Sequence, residues 1–100
     1  MQELSCEENN LSELDISDCI SLQDLECNYN NLSELDASKC ISLEILGCEY
    51  NNLTKLNVSD CIALRELYCY MNNLGAVDVS NCAELEEWVI DDNTTLKWTR

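Results

Sequence analysis

The chain has no proline, no histidine and no phenylalanine, and it has only two glycines among 100 residues. Without proline and with little glycine it shows no flexible linker, so we expect a single domain over 1–100. Without histidine, Ser-His-Asp triads and His-containing zinc sites are excluded. Glycine-rich phosphate-binding motifs are absent too. These absences favour a protein that is not an enzyme and that needs no cofactor.

Basic residues are also scarce: five lysines and arginines face 20 aspartates and glutamates, for a formal net charge of −15. Such a charge disfavours nucleic acid and anionic membranes as partners. No apolar run approaches the length of a membrane span, and no signal-peptide pattern opens the chain. The acidity serves solubility alone, or it suits a basic partner or a divalent cation.

What the chain does contain is an internal repeat of 21 residues. The second, third and fourth copies, at 22–42, 43–63 and 64–84, read LQDLECNYNNLSELDASKCIS, LEILGCEYNNLTKLNVSDCIA and LRELYCYMNNLGAVDVSNCAE. A period of this length marks a solenoid, in which each copy is one coil that buries its apolar side only against its neighbours. The chain holds about four and a half such copies.

Each coil has two short stretches in which apolar and polar residues alternate. Leu25 and Cys27 alternate with outward residues in the first stretch, and Leu35 and Ala37 do so in the second. A period of two is typical of strands. Stacked first stretches predict a parallel sheet. The second stretches predict short parallel strands, or extended and 3₁₀ segments, on the opposite side of a flat solenoid with little α-helix.

One asparagine per coil occupies the point where the chain turns inward: Asn9, Asn30, Asn51, Asn72 and Asn93. A buried amide is tolerated when its donors and its carbonyl oxygen all find partners. Neighbouring coils supply backbone groups for this purpose. We therefore predict a structural asparagine ladder, the remote alternative being an asparagine-based ligand site.

The eight cysteines fall into two columns that keep the same 21-residue step: Cys6, Cys27, Cys48 and Cys69, and then Cys19, Cys40, Cys61 and Cys82. Stacked coils lie about 4.8 Å apart, which is within disulfide range, but parallel Cβ vectors give poor geometry for a bond. We expect reduced core thiols, with redox or metal roles as alternatives. Reduced thiols weakly favour a reducing compartment such as the cytoplasm.

The positions Leu22, Leu25, Cys27, Asn30 and Leu32 fit L-x-x-L-x-C-x-x-N-x-L, the signature of a leucine-rich repeat. The chain resembles the short, 21-residue, Cys-containing leucine-rich repeats of bacterial type, and the resemblance runs from 1 to about 93. It implies a leucine-rich repeat solenoid, an α/β-class horseshoe that is here mostly β. The coils would be right-handed, with a parallel sheet on the concave face, and the role would be protein recognition.

Stacking the coils predicts that all four tyrosines share one exposed surface with apolar neighbours and a rim of carboxylates. We name this surface the tyrosine–carboxylate face, and its residues are Tyr29, Ile45, Tyr50, Tyr68, Tyr70, Met71, Asp24, Glu26 and Glu66. Tyrosines with an apolar centre and a polar rim are typical of recognition surfaces. The face predicts a protein or peptide partner that is basic or amphipathic. Alternatively, aromatic columns only stabilise the sheet.

Two other functions stay open at this point. The carboxylates of Glu87, Asp91 and Asp92 offer hard oxygen ligands, so an acidic surface that binds calcium is one alternative, although the spacing matches no EF-hand loop. A purely structural fragment of a longer repeat array is the other.

Three of the five bases fall in acidic columns and act as spacers there. Arg65 stands between Glu44 and Glu86, while Lys39 and Lys55 have acidic neighbours in the same way. Opposite charges on neighbouring strands stabilise a sheet and like charges destabilise it. These bases are therefore not expected to bind a ligand.

The two ends differ. At 84–100 the repeat breaks: Trp88 takes a core leucine position, Leu96 arrives one residue late, and we expect a C-terminal cap sealed by Trp88 and Trp98. At the N-terminus Met1 begins directly on the repeat, so the first coil has no cap. Either the chain is cut from a longer array, or this edge forms a weak homodimer.

Overall fold

The computed structural model describes residues 2–98, and these residues form a solenoid of about five coils. The nine strands, each of three residues, are β1 Glu3–Ser5, β2 Asp24–Glu26, β3 Glu34–Asp36, β4 Ile45–Gly47, β5 Lys55–Asn57, β6 Glu66–Tyr68, β7 Ala76–Asp78, β8 Glu87–Val89 and β9 Thr95–Lys97. Residues 2–98 contain no helix, and hence none that could cross a membrane.

The first stretches of the coils form one five-stranded parallel sheet in the order β1-β2-β4-β6-β8. Its register confirms the 21-residue stacking, because Leu4, Leu25, Leu46, Leu67 and Trp88 are successive partners across the sheet. Leucine at the central position of each inner strand points into the core, where Leu25, Leu46 and Leu67 are fully buried. The predicted parallel sheet and the leucine-rich repeat solenoid are confirmed.

The second stretches form short parallel pairs on the other side of the core. Strand β3 pairs with β5, and β7 pairs with β9. Leu35, Leu56 and Val77 are buried at the centres of these strands, which is the alternation that the sequence predicts. The equivalent stretch of the first coil, around Leu14, is irregular. Of the two predicted forms, short strands are the one that four coils adopt, in β3, β5, β7 and β9.

The asparagine ladder is confirmed in the inner coils. The Asn30 side-chain oxygen accepts the backbone N–H groups of Asn9 and Leu11 at 3.0 and 2.9 Å. Its amide nitrogen donates to the carbonyl oxygens of Cys6 and Cys27, both at 3.0 Å. Each inner asparagine thus joins its own coil to the preceding one and leaves few backbone groups unsatisfied.

The ladder ends differently from the prediction. Asn51 and Asn72 repeat the Asn30 pattern, but Asn93 is exposed. In the last coil the carboxylate of Asp91 instead accepts the backbone N–H groups of Met71 and Asn72, at 2.8 and 3.1 Å. The expectation for Asn93 is wrong because the last coil is two residues shorter than the others. The residue that accepts the backbone N–H groups of the preceding coil is therefore Asp91, two positions before Asn93.

The same shortening corrects the predicted register of the last coil. Leu96 pairs with Val77, which is 19 residues before it and not 21. Leu96 is therefore the central residue of the second stretch, two residues early, and does not take the position that Leu74 holds in the preceding coil. Thr94 is buried and its hydroxyl donates to the Leu74 carbonyl oxygen at 2.7 Å. Trp88 holds its predicted place beside Leu67, but it is 43 % exposed because no described coil covers it.

Candidate functional site

Three of the four tyrosines come together on the outside of the solenoid, as stacking in register requires. The rings of Tyr29 and Tyr50 are stacked, with centroids 4.5 Å apart and planes 6° apart. Tyr70 meets Tyr50 edge to face at 5.3 Å. Contacts of both kinds are favourable for aromatic rings. The three rings therefore form a continuous cluster, of which Tyr29 remains half exposed.

The backbone beneath this cluster is in the left-handed region. Tyr29, Tyr50 and Met71 have φ angles of 56°, 57° and 59°, and Glu8 holds the same place in the first coil at 60°. This conformation costs an L-residue roughly 1–2 kcal/mol, and asparagine or glycine adopts it far more easily. Large side chains occupy these positions although asparagine is plentiful nearby. Strain of this kind collects at functional sites.

A groove runs along the coils next to the tyrosines, with a volume of about 800 Å³. One wall is formed by Tyr29, Tyr50 and Met71, and Asp91 and Asp92 close one end. The remaining lining residues are the asparagine pairs of successive coils: Asn30, Asn31, Asn51, Asn52, Asn72, Asn73 and, at the end, Asn93. A concave surface with aromatic and amide side chains suits an extended or flexible ligand.

Tyr68 lies apart from this cluster and has a structural role. Its hydroxyl donates to a Glu66 carboxylate oxygen at 2.6 Å and to a Glu87 carboxylate oxygen at 3.2 Å. The hydrogen bond to Glu66 and partial burial raise the pKa of the Tyr68 hydroxyl well above its usual range. Within residues 2–98 no ring contact joins Tyr68 to the other tyrosines. Ile45 lies between Asp24 and Glu66 in the sheet register.

The carboxylates beside the tyrosines are crowded. Asp24 and Glu26 project from one strand, and the charges of Glu7 and Glu49 act on Glu26 from the neighbouring coils. Desolvation, followed by the hydrogen bond and charge of Asp24, raises the pKa of Glu26 to about 7. One buried oxygen on Asp24 and one on Glu49 have no hydrogen-bond partner within the described part of the chain.

The tyrosine–carboxylate face predicted from the sequence does not include Glu49. The glycine at position 47 is the sequence feature that could have indicated it. Gly47 stands beside Glu26 and Tyr68 in the sheet, where other coils carry a side chain. A Cβ atom on Gly47 would overlap the Glu26 carboxylate and would lie 3.2 Å from a Glu49 oxygen. The missing side chain at 47 therefore makes room for these two carboxylates to approach.

No base of the described chain forms an ion pair with this carboxylate group. Among residues 2–98, ion pairs within 4 Å involve Arg65 alone, whose guanidinium lies 3.2 Å from Glu44 and 3.5 Å from Glu86, with Glu66 at 3.7 Å. This confirms the predicted place of Arg65 between two acidic neighbours. Lys39 and Lys55 make no such pair in the described residues. The carboxylates near Gly47 remain uncompensated.

The alternative cation site at Glu87, Asp91 and Asp92 gains no support. Both oxygens of Asp91 accept backbone N–H groups, and one oxygen of Glu87 accepts the Tyr68 hydroxyl. Over residues 2–98 no cluster of three or more cysteine or carboxylate side chains has a geometry that could hold a metal ion.

All eight cysteines are free, and six of them are buried. Burial raises the pKa of the Cys27, Cys61 and Cys69 thiols to about 12, so these thiols stay protonated and unreactive. In the second column the Cys61 thiol donates to the Ala37 carbonyl oxygen at 3.2 Å, and Cys40 and Cys82 repeat this bond. The predicted core role of the two columns is confirmed.

Sequence reasoning also missed a column of exposed isoleucines that follows the second cysteine column. Ile20, Ile41 and Ile62 are 58, 50 and 59 % exposed. The spacing of 21 places them in one row, so the signal was present in the sequence. Exposed apolar rows of this kind can bind other proteins. No neighbouring charge or groove in the described residues indicates which partner would bind here.

Among solved structures, the fold is similar to that of the functional domain of InlJ from Listeria monocytogenes, which includes a cysteine ladder. The two share 30 % sequence identity and superpose with a TM-score of 0.87 over 93 % of this chain. The chain spans only 21 % of the length of that protein chain. No protein-family model matches the sequence, and no curated protein matches it either. The structure and this likeness together establish a leucine-rich repeat solenoid, a fold that is typically a non-enzymatic, protein-binding scaffold.

Proposed function

We propose that the chain is a protein- or peptide-binding module that uses the tyrosine–carboxylate face and prefers a basic or amphipathic segment. The observation that carries the proposal is the ring cluster of Tyr29, Tyr50 and Tyr70 beside an open groove, with Tyr29 and Tyr50 on a left-handed backbone. Tyrosine supplies a large, rigid contact area at low entropic cost, which is why it is enriched where proteins bind one another.

The charge of the face narrows the choice of partner. The charge of Glu49 acts on the hydroxyl of Tyr70, and Asp24 and Glu49 in turn crowd Glu26. None of these three carboxylates has a basic partner among the described residues. Complementary charge accelerates association and rejects partners of like sign. With a net charge of −15 the whole molecule also attracts cations at long range, so a basic segment is favoured over an acidic one.

Selection from a random peptide library displayed on phage tests this proposal, followed by binding measurements with purified variants. We expect enrichment of peptides that combine Arg or Lys with apolar residues. The double variant Tyr50→Asn, Tyr70→Ala should lose at least about tenfold in affinity for them, because two of the three clustered rings are gone. Ile62→Ser, which changes an exposed apolar residue elsewhere on the surface, is the control and should bind normally.

The alternative role of the rings is to stabilise the sheet by stacking, and the same variant separates the two roles. Asparagine at position 50 tolerates the left-handed backbone, so it removes the ring without adding strain. If the rings serve binding, the variant keeps its melting temperature and loses the peptides. If the variant instead melts earlier and binds every selected peptide at full strength, the proposal is wrong.

The remaining expectations extend this proposal. We infer that the chain carries out no reaction, because no nucleophile or base is paired for catalysis among the described residues. Self-association through β1, an edge strand whose coil leaves Leu4 and Leu14 only partly buried, stays a prediction. A concentration-independent monomer in light scattering would exclude it. Met1, part of that expectation, lies outside the described residues.

A further inference from the structure

We propose that the tyrosine–carboxylate face binds one cationic side chain of its partner, an arginine or a lysine, between Glu26 and Glu49 above Gly47. This inference rests on the proposed function and names the chemistry that the face recognises. Four features support it: the missing side chain at Gly47, the unpartnered carboxylate oxygens, the neighbouring rings and the absence of a counter-ion among residues 2–98.

The space exists because of one residue. In the sheet column that runs through Glu26, Gly47 and Tyr68, only position 47 lacks a side chain. Gly47 has an ordinary backbone conformation, since its φ angle lies outside the left-handed region that would demand glycine. The backbone therefore gives no reason for glycine here. A Cβ atom at position 47 would overlap the end of the Glu26 side chain, so Glu26 could keep its present place between Gly47 and Glu49 only with glycine here.

The carboxylates around this space lack partners that their burial requires. One oxygen of Asp24 and one of Glu49 are shielded from solvent and accept no hydrogen bond within residues 2–98. An unsatisfied buried acceptor costs roughly 1–3 kcal/mol, and more when it is charged. Arginine carries five N–H donors and lysine three, with no acceptor among them. A cationic side chain between Glu26 and Glu49 would thus supply the donor that the Glu49 oxygen lacks.

The aromatic rings favour an organic cation over a bare metal ion. Glu49 acts electrostatically on the hydroxyl of Tyr70, which meets Tyr50 edge to face, so the Glu49 carboxylate borders the ring cluster. A guanidinium or ammonium gains from both, through ion pairing and through attraction to the ring faces. The aliphatic stem of the side chain can also lie against the rings. A metal ion has no suitable ligand cluster in the described residues.

Binding of a cation here is coupled to loss of a proton. Glu26 is surrounded by Asp24 on its own strand, Glu7 in the preceding coil and Glu49 in the next, and no base within residues 2–98 faces it. These neighbours raise the pKa of Glu26 to about 7, so the group holds part of a proton at neutral pH. A cation favours the ionised carboxylate and expels that proton. Affinity should therefore rise as the pH rises through 7.

Two synthetic peptides test the inference. One is an acetylated and amidated peptide with a central arginine flanked by leucines. The other replaces that arginine with citrulline, which has nearly the same shape and no charge. Nuclear magnetic resonance follows the backbone amides of Gly47 and Glu49 and the side-chain carboxyl carbon of Glu26. The arginine peptide should shift these signals and bind about fivefold to tenfold more tightly than the citrulline peptide.

Two variants and one control locate the effect. Glu26→Gln and Gly47→Ala should each reduce the advantage of arginine over citrulline to less than about twofold. Glu13→Gln removes the same charge at an exposed site outside the face and should preserve the advantage. Calorimetry at pH 7 in two buffers of different ionisation enthalpy should show proton release for the parent chain and for Glu13→Gln. It should show none for Glu26→Gln.

The possible failures are distinguishable. If both peptides bind equally at this face, and the double variant at Tyr50 and Tyr70 loses both, the proposed function stands and this inference is overturned. If Glu26 titrates near its ordinary pKa in the free protein, the proton coupling is overturned. If neither peptide shifts any signal at millimolar concentration, both the inference and the proposed function are contradicted.

Discussion

The asparagine ladder and the tyrosine–carboxylate face belong to the same coils, yet they treat polar groups in opposite ways. On the ladder, Asn30 and Asn51 satisfy the backbone groups they meet and are themselves satisfied. On the face, Asp24 and Glu49 keep buried oxygens without partners, and Tyr50 stands on a strained backbone. The same repeat satisfies its buried polar groups on the ladder and leaves some of them unsatisfied on the face. We infer that the unsatisfied groups serve a purpose other than folding. That contrast is why we place binding on the face.

Among the polar residues compared above, the largest expected effect lies on the ladder. Asn51→Ala removes the partners of three buried backbone groups, those of Leu32, Cys27 and Cys48. We expect a loss of about 3 kcal/mol in the free energy of unfolding, since each orphaned group costs roughly 1–3 kcal/mol and relaxation recovers part of it. Urea unfolding measures the change. Asn9→Ala is the matched control and should cost less than about 1 kcal/mol, because Asn9 is exposed.

A smaller effect is expected at the last coil, which we propose to be a cap. Trp88 takes the sheet position that Leu67 holds one coil earlier, and its ring lies 5.8 Å from that of Trp98. Trp88→Ala should destabilise by roughly 1–2 kcal/mol, because the indole is 43 % exposed and loses only part of its burial. Leu67→Ala should cost about 2–5 kcal/mol. Equal losses in thermal unfolding would contradict this view of the cap.

The stacking of coils could be predicted from the sequence because it depends on a period, and a period shows in the letters. Leucines, cysteines and asparagines 21 apart had to become neighbours once the fold was a solenoid. The end of the ladder could not be predicted in this way. There the two-residue shortening transfers the role of Asn93 to Asp91 and moves Leu96 beside Val77.

The sequence predicts which residues of the candidate site share a column of stacked coils. It does not predict which of their side chains are in contact. The ring cluster of Tyr29 and Tyr50 follows from register, but the hydroxyl of Tyr68 bonding to Glu66 depends on which rotamer packs best. The importance of Glu49 depends on the space that Gly47 leaves, a property of three dimensions. Polar residues flanking the second stretches were also missed: Asp15, Asp36 and Asp78 each accept the N–H of a serine two residues later.

The pH dependence of stability separates the two kinds of acid. The folded pKa of Glu26 lies near 7, above its usual value of 4.5, so the folded state binds more protons than the unfolded state between these values. Stability from this group is complete below pH 4.5 and is lost as the pH rises through 7. The loss should be on the order of 1 kcal/mol, because solvent screens a carboxylate that is only partly buried. Glu26→Gln should abolish it.

The serine-bonded aspartates act in the other direction and set the acid limit. Hydrogen bonds from Ser17, Ser38 and Ser80 lower the pKa values of Asp15, Asp36 and Asp78 below 3.8. Their contribution is present above that value and is lost as the pH falls further. Urea midpoints should therefore peak near pH 4.5 to 5. A midpoint that increases steadily from pH 5 to pH 8 would contradict the crowding of carboxylates at Gly47.

The smallest expected effect tests the strain under the rings. Tyr50→Gly and Tyr50→Ala both delete the ring and its contacts with Tyr29 and Tyr70, so they differ mainly in how the backbone accepts a φ angle of 57°. Glycine adopts this angle freely, whereas alanine pays the penalty of its Cβ atom. The glycine variant should be more stable than the alanine variant by about 1 kcal/mol, somewhat less after its greater entropy in the unfolded chain. At Ile62, where the angle is not left-handed, the order should reverse. If the alanine variant is the more stable one at both positions, the left-handed backbone at Tyr50 is not strained. The face would then lose the backbone strain by which we distinguish it from the ladder.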